Sequence, residues 1–365
     1  MPELIWKDFI VLSLVDSLQV VLLGFIGGVL SGFIGSGGAF FMTPGMMNLG
    51  VPGVIAVGSN ITHKFGKAMM GSKRHGELGN VDKKLGVFLV LTSFIGIRIA
   101  VWINSYLFRL GESHGEDKSA AADLYISLVF VCILSMVALS MLRDALRSSD
   151  DEAGPSRRIA DALARLRLFP LIHFPVADVK VSLWVLMIVG LVTGYLAGTI
   201  GVGGFVGVPA MIYVFGVPTA VAAGTELFLA MFMGAFGALN YVVAGLVDIR
   251  LTMLLYLGSL VGVYIGAYGT KVVKEVVIRL VTALVILICV LSRAVAVPIY
   301  LRRLGFAAFD PIWDGRLNQV SKALLMAAGV CGVVVILYNV IVAFRRQSRI
   351  RRSLAPAVTA AGAGR

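Results

Sequence analysis

Apolar residues in this chain fall in runs of about 20, each long enough to cross a hydrocarbon core about 30 Å thick. The runs lie near 9–48, 53–72, 85–107, 124–146, 181–217, 219–247, 251–270, 276–300 and 324–344. Lipid offers backbone N–H and C=O groups no partner, so segments of this length must close their own hydrogen bonds as helices. Only 14% of the 365 residues are charged and 58% are hydrophobic, against about 25% charged in a soluble domain. Too few polar residues remain to cover a surface in water. The expected fold is an all-α polytopic membrane protein.

The 32 Lys and Arg outnumber the 20 Asp and Glu, a net charge of +12. In a soluble protein that excess would point to nucleic acid. Here most of the charges sit between or after the apolar runs, where they orient a chain across the bilayer. No nucleic-acid partner is expected; the lipid bilayer takes that place. Cys132, Cys289 and Cys331 lie far apart inside apolar runs, without CxxC spacing, so neither a metal site nor a disulfide framework is expected. Asp16 interrupts the first run and no clear small-residue cleavage site accompanies it, so the N-terminal segment reads as retained. In the hydrophilic stretch 148–180, Ile159, Leu163 and Leu166 share one helical face, with Arg157, Arg158, Arg165 and Arg167 elsewhere. That pattern suits a helix lying on an anionic membrane surface. The tail from 345 is basic and, from Ser353 on, Ala- and Gly-rich, which reads as disordered.

The second half of the chain repeats the first. Shifted by 166 positions, Gly32 falls on Gly198, Gly35 on Gly201, Gly37 and Gly38 on Gly203 and Gly204, Pro52 on Pro218, Gly58 on Gly224 and Asp82 on Asp248. About 23 positions between 24 and 99 are identical without a gap, roughly four times the chance level for this composition. Such halves build secondary transporters, whose sites form near the membrane midplane where interrupted helices meet. The chain then divides into a first transmembrane repeat (9–147), a cytoplasmic loop with an interfacial helix (148–180), a second repeat (181–300), an extracytoplasmic loop (301–323), an extra span (324–344) and a cytoplasmic tail (345–365). Counting Lys and Arg by loop selects the orientation. If 181–217 crosses once, about 10 basic residues fall inside and about 16 outside; if it returns to the same face, about 19 fall inside and about 7 outside, in line with the positive-inside rule. The second count favours inverted repeats, each a broken or re-entrant Gly-rich segment followed by three spans.

Two glycine-rich elements, SGFIGSGGAFFMTP (31–44) and AGTIGVGGFVGVP (197–209), fall inside apolar runs. Each glycine costs a helix about 1 kcal/mol relative to Ala, so this density marks broken helices. Irregular backbone at membrane depth is tolerated only where it is buried in protein or lines a cavity. The helix that restarts after a break presents unpaired N–H groups and a positive dipole end. Ser36, Gly37 and Gly38 in the first element and Gly201, Gly203 and Gly204 in the second are therefore expected to hold an anion with little side-chain charge. The same glycines would also serve close helix packing. The spacing is not GxGxxG and no polar βαβ unit surrounds it, so no cofactor is expected.

The span after each element carries rare intramembrane polar groups. Ser59 aligns with Thr225 and Asn60 with Glu226, and the first half adds His63, Lys64 and Lys67. Ionisable groups inside a membrane are costly and point to function. Lys64 sits about 11 residues into its span, too deep to snorkel, and is expected to contact the anion, with Ser59, Asn60 and Thr225 beside it. Glu226 and His63 are candidates for proton coupling; a buried Glu226–Lys64 ion pair would account for the carboxylate equally well. No catalytic residues are expected, since four His without HExxH, CxxCH or GxSxG argue against an enzyme. GELGNVD (76–82) and AGLVD (244–248) read as a turn and N-cap before the next helix.

At these residues the chain resembles the TauE/SafE family of sulfite exporters, bacterial inner-membrane permeases. The likeness rests on the doubled glycine element (Gly28, Gly32, Gly35, Gly37, Gly38 and Pro44 in the first half), on GVPGVIAVGS (50–59) with GVPTAVAAGT (216–225), and on RHGELGNVD (74–82). It covers about 24–300. The resemblance implies a multi-pass transporter exporting sulfite or a small organosulfonate across the cytoplasmic membrane. The expected mechanism is alternating access around an anion held at the two breaks, with a cytoplasmic C-terminus. Protons are the candidate coupling ion, and a homodimer is left open. The alternatives are an anion channel, an importer of a related oxyanion, and a polytopic enzyme or redox subunit.

Overall fold

Each apolar run folds as helix, interrupted where glycines cluster. The computed structural model describes residues 10, 12–34, 38–113, 119–147, 168–201, 203–273 and 275–362. The first half comprises α1 (Leu14–Ile34), α2 (Ala39–Asn48), α3 (Gly53–Glu77), α4 (Lys83–Ser113) and α5 (Ala120–Arg147). A hairpin of β1 (Leu171–Phe174) and β2 (Val179–Ser182) follows. The second half holds α6 (Leu183–Ile200), α7 (Gly204–Pro209, continued by a π-helical turn over Ala210–Val214), α8 (Thr219–Val243), α9 (Ile249–Val272) and α10 (Glu275–Arg303), and α11 (Ile312–Gly362) ends the chain. Among the described residues, eight helices are long and apolar enough to cross a membrane. Of the rest, α2 and α7 are short, and α3 carries Lys64, Lys67 and Lys73. Leu91, Trp102, Leu257 and Tyr338 are exposed while Phe33, Phe40 and Phe41 are buried; an exposed apolar belt is what hydrocarbon requires of a multi-pass membrane protein.

Glycine sets the spacing of the bundle. A Cβ on Gly28 would lie 2.7 Å from the Ser259 carbonyl oxygen, and one on Gly194 would lie 2.1 Å from the Ser93 carbonyl oxygen. Only glycine allows backbones this close. These contacts join α1 to α9 and α6 to α4, and the 166-residue shift converts one into the other. It likewise converts the approach of Gly71 to Leu227 into that of Gly237 to Ile61, and the approach of Gly58 to the Leu246 carbonyl into that of Gly224 to the Asn80 carbonyl. Along these contacts α3 and α8 run in opposite directions. Within the first half α2 folds back on α1: a Cβ on Gly38 would lie 1.9 Å from the Gly27 oxygen and one on Gly45 2.6 Å from Leu23 Cδ2.

Asp82 and Asp248 each cap a helix and anchor a distant segment. Asp82 Oδ1 accepts the Leu85 N–H at 3.0 Å, while its Oδ2 accepts the N–H groups of Val176 (3.1 Å) and Ala177 (3.0 Å) in the β1–β2 turn. Asp248 Oδ1 accepts from Arg250 (2.8 Å) and Leu251 (3.3 Å), while its Oδ2 accepts from Ile10 (3.3 Å). The hairpin pairs Leu171 with Ser182 and Phe174 with Val179. Strands of four residues are too short for their alternation to stand out in the sequence, and this one escapes the reading above. The helix expected over 157–167 lies outside the described residues.

Two expected boundaries move. Most of 301–323, read as a loop, is helical, because α10 runs to Arg303 and Asp310 starts α11 by accepting the Ile312 N–H at 2.9 Å. The tail, read as disordered from Ser353 on, continues α11 to Gly362; Ala355, Ala357, Ala360 and Ala361 supply the strongest helix former.

Candidate functional site

The second break is held open by side chains from three other helices. Gly201 ends α6 at φ +77°, the left-handed region that favours glycine. The last α6 carbonyls, which have no partner within their helix, are each met. Tyr241 Oη donates to Gly198 O at 2.6 Å, Asn104 Nδ2 to Thr199 O at 3.2 Å, and Thr43 Oγ1 to Ile200 O at 3.3 Å. Asn104 Nδ2 also donates to Tyr241 Oη at 2.7 Å. The chain restarts at Gly204 without a side-chain cap on Gly203, and α2 restarts at Ala39 without one on Gly38. Two helices thus begin inside the bundle with leading N–H groups that no side chain at the cap position satisfies.

Three polar side chains converge on these restarts. Asn60 Nδ2 donates to the Ala39 carbonyl at 3.2 Å and to Thr43 Oγ1 at 2.8 Å, and a Cβ on Gly201 would lie 3.3 Å from the same nitrogen. Asn60 therefore touches both breaks. Lys64, 7% exposed, brings Nζ to 3.2 Å from where a Cβ on Gly203 would stand. Glu226, 2% exposed, lays its carboxyl on the next turn of α7, Oε2 falling 2.1 Å from a Cβ position on Gly207. Among the described residues, both Glu226 oxygens and Asn60 Oδ1 find no hydrogen-bond partner. Asn60, Lys64, Gly201, Gly203, Gly204 and Glu226 form one cluster, with a cation and neutral donors at two helix starts, an arrangement suited to a small anion.

Other residues singled out in the sequence face elsewhere. Ser59 Oγ and Thr225 Oγ1 accept the backbone N–H groups of Asp248 and Asp82, each at 3.0 Å. His63 Nε2 lies 2.7 Å from Ser259 Oγ on α9, its ring 4.7 Å from that of Tyr256. Lys67 Nζ donates to Ser31 Oγ on α1 at 2.8 Å. Two further cations within the helices, Arg98 and Arg293, are also bonded: Arg98 donates to Asn240 at 2.8 Å, and buried Arg293 to Asn48 (3.3 Å) and Tyr300 (2.7 Å). Gly38 packs on Gly27; Ser36 and Gly37 lie outside the described residues. The sequence reading missed Thr43, Asn104 and Tyr241. An amide in the middle of α4 was the available signal for Asn104; nothing local marks the other two.

A family model described as "Sulfite exporter TauE/SafE" matches residues 20–293. The chain is 28% identical over 254 residues to "Probable membrane transporter protein YjnA" of Bacillus subtilis (strain 168), across 69% of this chain and 89% of that protein. It is 23% identical over 273 residues to "Probable membrane transporter protein YdhB" of the same organism, across 73% and 92%. No solved structure matches the chain.

Proposed function

The chain belongs to the sulfite exporter TauE/SafE family of membrane transporters, and from that premise we propose that it exports sulfite or a C2 organosulfonate across the cytoplasmic membrane by alternating access. The observation that carries this reading is the convergence of Lys64 on Gly203 and of Asn60 on both breaks. Lys64 supplies the charge, and the N–H groups at the starts of α2 and α7 supply donors that need not shed a hydration shell. By the 166-residue repeat, Gly37 and Gly38 are the counterparts of Gly203 and Gly204, and with Ser36 they are the first-half candidates for the same anion. Ser59 and Thr225 act by positioning, since each ties its span to the other half beside the site.

Inverted repeats are supported by the opposite directions of α3 and α8. A two-fold axis relating antiparallel neighbours runs across them, in the membrane plane, so rocking one half against the other would expose the site to either face in turn. The positive-inside rule then sets the 148–180 stretch and the C-terminal tail in the cytoplasm. Moved alone, an anion is driven outward by an interior-negative potential by about 2.3 kcal/mol per charge per 100 mV; a proton carried with it cancels one charge of that drive and leaves export to the anion's own outward gradient.

The test is sulfite flux into proteoliposomes bearing the wild type, Lys64→Ala, Gly37→Leu or Gly203→Leu. Loss of flux in the variants is expected, and unaltered transport in all three would sink the site. Thiosulfate, sulfoacetate, taurine and sulfate in the same assay rank the substrate. A channel would instead show unitary currents in a planar bilayer.

A further inference from the structure

We propose that Glu226 takes up a proton each time the anion binds, making the protein a proton–anion cotransporter. The inference rests on the transporter reading above and deepens it.

Asn60 and Glu226 stand at equivalent positions of the two halves, 166 residues apart. Asn60 reaches its neighbours with an amide donor, into the Ala39 carbonyl and the Thr43 hydroxyl. An ionised carboxylate has no donor to offer, and a buried one without partners is among the costliest groups in a protein interior. Glu226 is 2% exposed and, among the described residues, neither of its oxygens nor the buried hydroxyl of Thr193, whose methyl lies by the same Gly207, has a hydrogen-bond partner. With a proton the acid is neutral and gains the donor its counterpart already has. Gly207 makes the room; the first half has Phe41 there.

Lys64 is the charged group that faces this carboxyl. The two side chains lie against successive turns of α7, at Gly203 and Gly207, without hydrogen-bonding each other. On α3, His63 turns to Ser259 and Lys67 to Ser31, and His75 lies at the far end beside Gly224. On α4, Arg98 donates to Asn240, and Asp82 is spent on its cap and the hairpin. Tyr195 on α6 bonds to Tyr125, and Tyr213 after α7 bonds to Asp144.

Ionised Glu226 would offset Lys64 and repel an anion at Gly203; protonated Glu226 leaves the Lys64 charge to the anion. Proton and anion therefore favour each other's binding, and the effect is reciprocal. One O–H bond forms on the side where the anion enters and breaks on the side where it leaves. No other bond changes.

The full-length protein is reconstituted with the membrane voltage clamped near zero by potassium and valinomycin, and labelled sulfite is supplied outside. A gradient of one pH unit, acid outside, should concentrate sulfite inside wild-type vesicles about tenfold further than inside Glu226→Gln vesicles. The comparison is made at equilibrium, so it does not depend on the absolute rate. Both vesicles see the same gradient, so the ionisation of sulfite itself cancels. A wild type that accumulates no more sulfite than Glu226→Gln under the gradient overturns the proposal. If the wild type moves no sulfite, the substrate reading has failed; for that case, or a variant that does not transport, infrared difference spectra decide the proton. At neutral pH, adding sulfite or sulfoacetate should raise the carbonyl stretch of a protonated carboxyl in the wild type and not in Glu226→Gln; a band that the anion leaves unchanged, or no band, overturns the proposal.

Discussion

Ser59 Oγ accepts the Asp248 N–H at 3.0 Å and donates back to the Asp248 carbonyl at 3.2 Å. Its counterpart, Thr225, accepts the Asp82 N–H at 3.0 Å. Each half thus holds the cap residue of the other with a hydroxyl beside the residue that enters the site. Ser59→Ala should leave the buried Asp248 N–H unpaired at a cost of about 1–3 kcal/mol, lowering the melting temperature in detergent, while Ser59→Thr stays near wild type. Anion affinity of the folded Ser59→Ala protein should change far less than that of Lys64→Ala. An unchanged melting temperature would remove the clasp from the account.

Gly194→Ala drives a methyl to within 2.1 Å of the Ser93 oxygen, between two helix backbones. Such overpacking costs about 1–3 kcal/mol, and Gly28→Ala, against Ser259, should behave alike. Gly315→Ala meets nothing within 4 Å and should stabilise α11 by up to about 1 kcal/mol. Thermal melts of the three purified variants check the order; equal melting temperatures would contradict the close-approach role.

Tyr241→Phe removes the donor to Gly198 O and one partner of Asn104. A loss of about 1–2 kcal/mol in stability is expected. Because that carbonyl lies just ahead of Gly201, sulfite KM should rise more than kcat falls. A variant with unchanged KM would show that the end of α6 does not position the site.

Impermeant maleimide should label Lys180→Cys and Arg345→Cys from one face and Phe306→Cys from the other, in a background with Cys132, Cys289 and Cys331 replaced. Labelling of Lys180→Cys from the face opposite Arg345→Cys would favour parallel repeats.

The membrane class, the helical runs and the duplication follow from local pattern: each depends on residues within one span, or on identity at a fixed shift, and needs no knowledge of neighbours. Lys64 was legible for the same reason, as a charge too deep in its span to reach water. Its place at Gly203 was not, since Gly203 lies 139 residues further along. His63, its neighbour, carried as strong a signal and turns instead to Ser259. Adjacent helical residues point about 100° apart, and only the packing of α3 among α1, α8 and α9 decides which of them meets the break.

The sequence by itself determined that the chain spans a membrane, that it is built from two related halves, and where each half is broken, because hydropathy and glycine content act locally. Tertiary structure alone decided that Ser59 and Thr225 clasp the halves together, that Thr43, Asn104 and Tyr241 finish the carbonyl end of α6, and that the Glu226 carboxyl lies on Gly207 without a partner. Those facts depend on which backbones glycine lets come close, and that is settled only when all the helices are packed.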